Sequence, residues 1–310
     1  MQRVFGQLLF DFALYFGSLG ALKQAGRPRF SFPGDHFAMN GTEEKFPSVD
    51  ILKQVTMSGL PNAAAIEASG IESAGRDLQV LVVIPAYNEQ GKVGAVVRKT
   101  RAQGMDPVLV VDDCSSDQTA AEAQAAGALV IRHERNLGVG AAIRTGIDYA
   151  LAHDFAVVAV LSGDDQHDPT ELPGLLWPIL SAGYDFVQGS RRFRGLQAPN
   201  IGWFRRFFTW VYAVTFRLLT GFPCSDATNG GRAFRTRIFA DGKIDLWQSW
   251  LNSYELEPYL FYKVVHEGYK VTEAPMKVIY HTSGTTKMKP VRDWWRIFRP
   301  MLYLALGLKK

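Results

Sequence analysis

The chain has 310 residues, 47% of them hydrophobic and 21% charged, and a formal net charge of +4. That composition supports one large globular domain or two small ones and excludes disorder of the whole chain. The small positive excess gives no reason to expect nucleic acid as a partner unless one face gathers it, and the two distant cysteines, Cys114 and Cys224, suggest neither a disulfide framework nor a zinc site and suit a reducing, cytoplasmic setting.

Residues 1–75 read as an N-terminal extension. Val4, Phe5, Leu8, Leu9, Phe12, Tyr15, Phe16 and Leu19 recur at helical spacing opposite Arg3, Gln7, Asp11 and Ser18. The pattern describes an amphipathic helix over 3–22, which either lies on a membrane or packs on a partner. With one Arg and a mid-segment Asp it makes a poor signal peptide, and Met57 is an alternative start. Residues 24–75, rich in Gly, Pro, Ser and Asn, read as a linker. The long apolar runs are all broken by charge: Asp11 and Lys23 bound the first, Arg217 interrupts the second, and Arg299 with Pro300 the third. None makes a convincing spanning helix of about 20 residues.

From Gln79 onward short β-branched runs at 79–84, 108–111, 128–131, 156–161 and 185–189 alternate with helical stretches. The pattern predicts an α/β fold with a doubly wound, mostly parallel sheet. Asn88 is the expected cap of the first helix and Gly104 its terminator; Asp117 caps the second, and 139–153 forms the third. On this reading the chain divides into a first half, 76–200, and a second half, 201–310.

In an open parallel sheet ligands sit beyond the carboxyl ends of the strands. The residues there are polar: Pro85–Glu89 after the first strand, Asp112 and Asp113 after the second, and Gly138 with Gly140 at the third helix start. Asp112 or Asp113 can accept hydrogen bonds from a ribose or base. The fourth strand ends in LSGDDQHDP, where Asp164, Asp165, Gln166, His167 and Asp168 crowd together. Such hard oxygen donors suit Mg²⁺ or Mn²⁺ beside a diphosphate; the other reading of the acidic residues is an Asx turn and cap before Pro169.

LVVIPAYNE, VVDDCSSDQT, RNLGVGAAIRTG, GDDQHDP and QGSRRF, in this order, resemble the inverting glycosyltransferase family two, which has a GT-A fold. Its dolichol-phosphate mannosyltransferase-like branch is the most similar, and the resemblance spans residues 79–310. It implies a donor site drawn from Pro85, Tyr87, Glu89, Asp112, Asp113, Gly138, Asp164 and Asp165. The metal ligands would be Asp164 and Gln166, with Ser162 where the family's Asp-x-Asp-x-Gln motif has its first Asp, a neutral and weaker ligand. Arg191, after Gly189 and Ser190, would meet phosphate charge, and Asp226 would orient or deprotonate the acceptor, making Asp164, Arg191 and Asp226 the catalytic set. Ser190, Arg191, Arg232 and Arg235 would face the acceptor. A carboxylate from Glu255 or Glu257 would face the active site or pack against it.

Between Phe204 and Leu219, Phe207, Phe208, Val211, Val214, Thr215 and Leu218 share one helical stripe opposite Arg206, Thr209, Ala213 and Arg217. Near the C-terminus Arg292, Arg296 and Arg299 line up beside Trp294, Trp295, Ile297 and Phe298. Helices with aromatic and basic faces suit the headgroup boundary of an anionic membrane. Together with these helices, the resemblance implies a metal-dependent transferase at the cytoplasmic face of a membrane, with a nucleotide-sugar-binding half over 76–200 and an acceptor-binding and membrane-associating half over 201–310. It would move a sugar from a UDP- or GDP-sugar to a polyprenyl phosphate, dolichyl or undecaprenyl. The other readings are transfer to a hydroxyl acceptor, and nucleotide-sugar binding without turnover.

Overall fold

The computed structural model describes residues 78–193, 203–279 and 290–309, so the expected helix over 3–22 and its linker lie outside the described residues. Strands β1 (Val80–Ala86), β2 (Val108–Asp112) and β4 (Val157–Val160) are apolar runs buried along nearly their whole length. Runs of this kind occupy the middle of a sheet covered on both faces. β3 (Leu129–Arg132) is the half-exposed edge. With β5 (Phe186–Ser190), β6 (Arg232–Arg235) and β7 (Val271–Pro275) they form one sheet ordered β3-β2-β1-β4-β6-β5-β7.

All pairings are parallel except those of β6, which runs antiparallel to β4 and β5 and sets Phe234 opposite both Val158 and Phe186. The mostly parallel α/β sheet is as expected. β6 was not, because Arg-Ala-Phe-Arg between glycines and a threonine carries no β-branched run; it is a strand because it fills the gap between two buried neighbours. Successive side chains point to opposite faces, so Leu109 and Val111 enter one core and Val108 and Val110 the other.

Helices α1 (Val93–Ala102), α2 (Thr119–Ala125) and α4 (Leu172–Ala182) cover one face. α3 (Val139–Ala152), α5 (Trp203–Thr220), α6 (Leu256–His266) and α7 (Pro290–Ala305) cover the other. Asp117 accepts hydrogen bonds from Thr119 at the start of α2, and Gly104, at φ 77°, follows the end of α1, both as read from the sequence. Asn88 does not cap α1, which begins at Val93: its side chain accepts from the Ser116 backbone and ties the β1 loop to the β2 loop.

The buried stripe of α5 is Thr209, Tyr212, Ala213 and Phe216. Thr209 and Ala213 were expected opposite the apolar stripe, with Arg206 and Arg217, and their burial has a packing cause. Phe216 stacks on Phe261 at 4.5 Å and Tyr212 meets Phe298 of α7 edge-on at 4.9 Å, so small side chains are needed where the helices approach. Trp203, at 80% exposure, and Leu218 remain on the outside. On α7, Trp294 and Met301 are buried while Trp295 is 51% exposed.

Candidate active site

The sheet's carboxyl end opens into a cavity of about 230 Å³, whose lining includes Pro85 from β1, Ser162, Gln166 and His167 after β4, Arg191 after β5 and Arg205 from α5. The loop Ala227–Gly230, Arg232, Tyr254, Glu257 and Ile297 complete it. Two of the three expected metal-site residues, Ser162 and Gln166, therefore share one space with Arg191, and Asp164 lies between them in the chain without lining the cavity.

The turn after β4 is shaped by its own polar groups. Asp164 Oδ1 accepts from Ser162 Oγ at 2.6 Å and from the Gln166 backbone at 3.1 Å; Oδ2 takes none of the described hydrogen bonds. His167 is buried, and its Nδ1 accepts from the Ser162 backbone, which leaves Nε2–H to donate to Asn229 Oδ1 at 2.8 Å. Burial lowers the His167 pKa against the opposing pull of Asp164 and Asn229, so the ring is neutral and fixed in one tautomer. Asp168 caps the short 3₁₀ turn at Pro169, the structural reading for that residue. Asp165, expected at the donor, instead pairs with Lys99 of α1 at 2.8 Å, away from the cavity lining.

Several residues expected at the donor also brace the loops around it. Asp112 is fully buried, accepting from Ser115 and lying 3.4 Å from Arg132 Nε. Asp113 is also buried and accepts from the Leu137 and Gly138 backbones, both at 2.8 Å, and from His133 at 2.7 Å. Neither presents a carboxylate to a ligand here; together they hold the β2 and β3 loops. Glu89 pairs with Lys92, and its backbone N–H donates to Thr119. Tyr87 is 42% exposed beyond β1. Gly138 and Gly140, at the start of α3, are covered by the chain itself. The chain's own 251–253 segment lies across them, and a Cβ on Gly140 would sit 2.3 Å from the Leu251 carbonyl oxygen.

On the other wall Arg191 forms a buried fork on Asp226, with Nε 2.5 Å from Oδ2 and the second nitrogen 2.7 Å from Oδ1, and it also donates to Thr228. Burial alone would raise the Asp226 pKa, but the Arg191 charge and its hydrogen bonds outweigh this and pull it to about 2. Asp226 is thus ionised at neutral pH with both oxygens engaged, which suits the orienting role expected of it better than that of a base. Ser190 is buried against Ser225, its hydroxyls 2.6 Å apart, so it shapes the loop and offers no open contact. Arg232 lines the cavity and pairs with Glu257 at 2.9 Å. Arg235 does not: it donates to the Ile179 and Tyr184 carbonyls behind the sheet, because alternate residues of β6 face opposite ways.

The two glutamates that the sequence could not separate are separated by their partners. Glu257 lines the cavity, and burial raises its pKa against the pull of Arg232. Glu255 turns away to Arg296 and Arg299 of α7. Sequence reasoning passed over Arg205, Tyr254 and Asn229. Asn229 carried the one available signal, a polar residue before two glycines.

The glycosyl transferase family 2 profile matches residues 81–242. A polyprenol monophosphomannose synthase of Mycolicibacterium smegmatis is 31% identical over 68% of this chain and 81% of its own. A UDP-N-acetylglucosamine–dolichyl-phosphate N-acetylglucosaminyltransferase of Methanococcus voltae is 26% identical over 74% of this chain and 98% of its own. The chain belongs to glycosyltransferase family 2. Its fold matches that of the glucosyl-3-phosphoglycerate synthase of Mycobacterium tuberculosis, solved with Mn²⁺, UDP and phosphoglyceric acid, at a TM-score of 0.59 and 18% identity over 82% of this chain and 87% of that one. That likeness is one of GT-A fold.

Proposed function

We propose that this chain transfers a sugar from a nucleotide diphosphate sugar to a polyprenyl phosphate, inverting the anomeric carbon, while docked on a lipid surface. One observation carries the reading: Ser162 and Gln166, beside Asp164, share a single cavity with Arg191, Arg205 and Arg232. The first end suits the donor diphosphate, and the guanidinium wall suits a second anion, the acceptor. A hydroxyl acceptor needs a base at its oxygen. A phosphate is already anionic, which agrees with Asp226 being locked in an ion pair. The two named relatives act on polyprenol or dolichyl phosphate by their names, and their sugars differ.

Among the described residues no group of three or more His, Cys, Asp or Glu forms a metal cage. The oxygen-only set of Asp164, Ser162 and Gln166 nevertheless fits Mg²⁺ or Mn²⁺, ions that share few protein ligands with phosphate oxygens and water. When bound, such an ion would neutralise the departing diphosphate. The chain's own part is to hold that turn: His167 fixes the Ser162 backbone, and Ser162 fixes Asp164. Ser162→Asp should lower the half-saturating metal concentration about tenfold by adding ligand charge, with the acceptor KM unchanged; metal titration of turnover checks this.

No helix among the described residues is long and apolar enough to cross a membrane. Trp203 and Leu218 of α5, Trp295 of α7, and Leu306 and Leu308 beyond it are exposed, and they supply the apolar surface for shallow insertion. Trp294 and Met301, in contrast, belong to the core, so point changes at the exposed positions test docking better than truncation of α7.

A second reading, a hydroxyl acceptor, has one observation in its favour: Glu257 is a cavity carboxylate with a raised pKa. The two are distinguished by offering the same lipid with and without its phosphate. Transfer of labelled sugar to polyprenyl phosphate supports the proposal, and transfer to the alcohol the alternative.

A further inference from the structure

Helix α7 carries the exposed Trp295 outside and Ile297 in the cavity lining, so one helix touches both the proposed lipid surface and the site. Its connection to the rest of the site runs through Glu255. That carboxylate is 1% exposed and sits between the cavity residues Tyr254 and Glu257. Arg299 donates to Glu255 Oε1, Arg296 Nε lies 3.5 Å from the same oxygen, and Arg296 also donates to Ser253 Oγ at 3.2 Å. One residue earlier, the Asn252 carbonyl accepts from the Ala141 backbone at the start of α3. The segment 252–257 thus ties α7 to the cavity and to α3.

The joint is incompletely satisfied. Glu255 Oε2 and Arg299 Nε are both buried and have no hydrogen-bond partner among the described residues, although together they could form the second arm of a bidentate fork. A buried ion pair with unmet groups is costly to keep for stability alone, since an apolar pair would pack as well. Such groups call for an explanation other than stability.

We propose that Glu255 is a positioning residue that couples the seating of α7 on the lipid to the acceptor end of the cavity. The inference rests on the polyprenyl-phosphate reading above. Glu255 touches neither donor nor acceptor; it acts through Arg296 and Arg299. Its loss therefore raises the acceptor KM and leaves donor binding in place.

The test uses the full chain on vesicles containing anionic lipid and a polyprenyl phosphate, with Glu255→Gln, Arg299→Gln and the double variant. Each single variant should raise the acceptor KM about tenfold, within the usual range of coupling between sites. The nucleotide dissociation constant, measured by calorimetry, should stay unchanged, and the double variant should be no worse than Glu255→Gln, because that change alone already breaks the contact to Arg299. An unchanged acceptor KM, additive losses in the double variant, or an equal fall in donor affinity would overturn the proposal, the last by showing a merely structural brace. If the wild-type protein itself transfers nothing to polyprenyl phosphate, the reading of function fails instead, and the two failures are told apart.

Discussion

Asp164→Ala should lower turnover by about a thousandfold or more while the protein stays folded, the scale expected when charge stabilisation of a leaving group is removed. The carboxylate sits on a surface-lining turn, half-buried, and its structural bonds are those to Ser162 Oγ and the Gln166 backbone. Those two contacts cost about 1 kcal/mol each to lose, which a domain of this size tolerates. Asp164→Asn keeps a side-chain oxygen for both contacts and removes the charge. It should therefore match the wild type in unfolding temperature and the alanine variant in turnover. Retained turnover in either variant at saturating Mg²⁺ or Mn²⁺ would remove Asp164 from the catalytic set.

The second large effect is of the opposite kind. Asp226→Ala should destabilise the protein by about 3–5 kcal/mol, because it leaves the Arg191 guanidinium buried without its counter-charge. Turnover should fall with it, since Arg191 would lose the fork that aims it along the cavity wall. The pH dependence has a definite sign. The Asp226 pKa is about 2 in the folded protein and about 3.9 in an unfolded chain. Its stabilising contribution is therefore full above about pH 4 and disappears as pH falls towards 2. Acid unfolding of the wild type should thus steepen across that window, and Asp226→Asn should lack this component. If Asp226→Asn keeps wild-type stability at neutral pH, the buried fork does not hold this wall together.

The sheet was legible in the sequence because parallel central strands are continuous apolar runs, and Val80–Ala86, Val108–Asp112 and Val157–Val160 say so plainly. β6 was not, since its strand character comes from neighbours far away in the chain. The site was legible by region and less so by atom. Strand-end position identified Pro85 and Gln166, and the family resemblance Ser162 and Arg191, all in the cavity lining. Neither could tell a carboxylate aimed at a ligand from one aimed at a backbone N–H: Asp112, Asp113 and Asp165 look like ligands in sequence and are braces in space. The arginines of α7 show the same limit. Their spacing matches a basic membrane stripe, yet Arg296 and Arg299 face Glu255, because a helical stripe records a direction and not what stands opposite it.

The most direct measurement compares two acceptors that differ only in their head group, a short polyprenyl phosphate and the corresponding polyprenol. Purified protein with Mg²⁺ or Mn²⁺ would receive each together with a panel of labelled UDP- and GDP-sugars, and label entering the organic phase would be followed. Transfer to the phosphate alone, from one donor, is the predicted result, with a product whose mass equals lipid phosphate plus one sugar. Equal or preferential transfer to the polyprenol would contradict it, and would turn attention to Glu257 as the base for a hydroxyl acceptor.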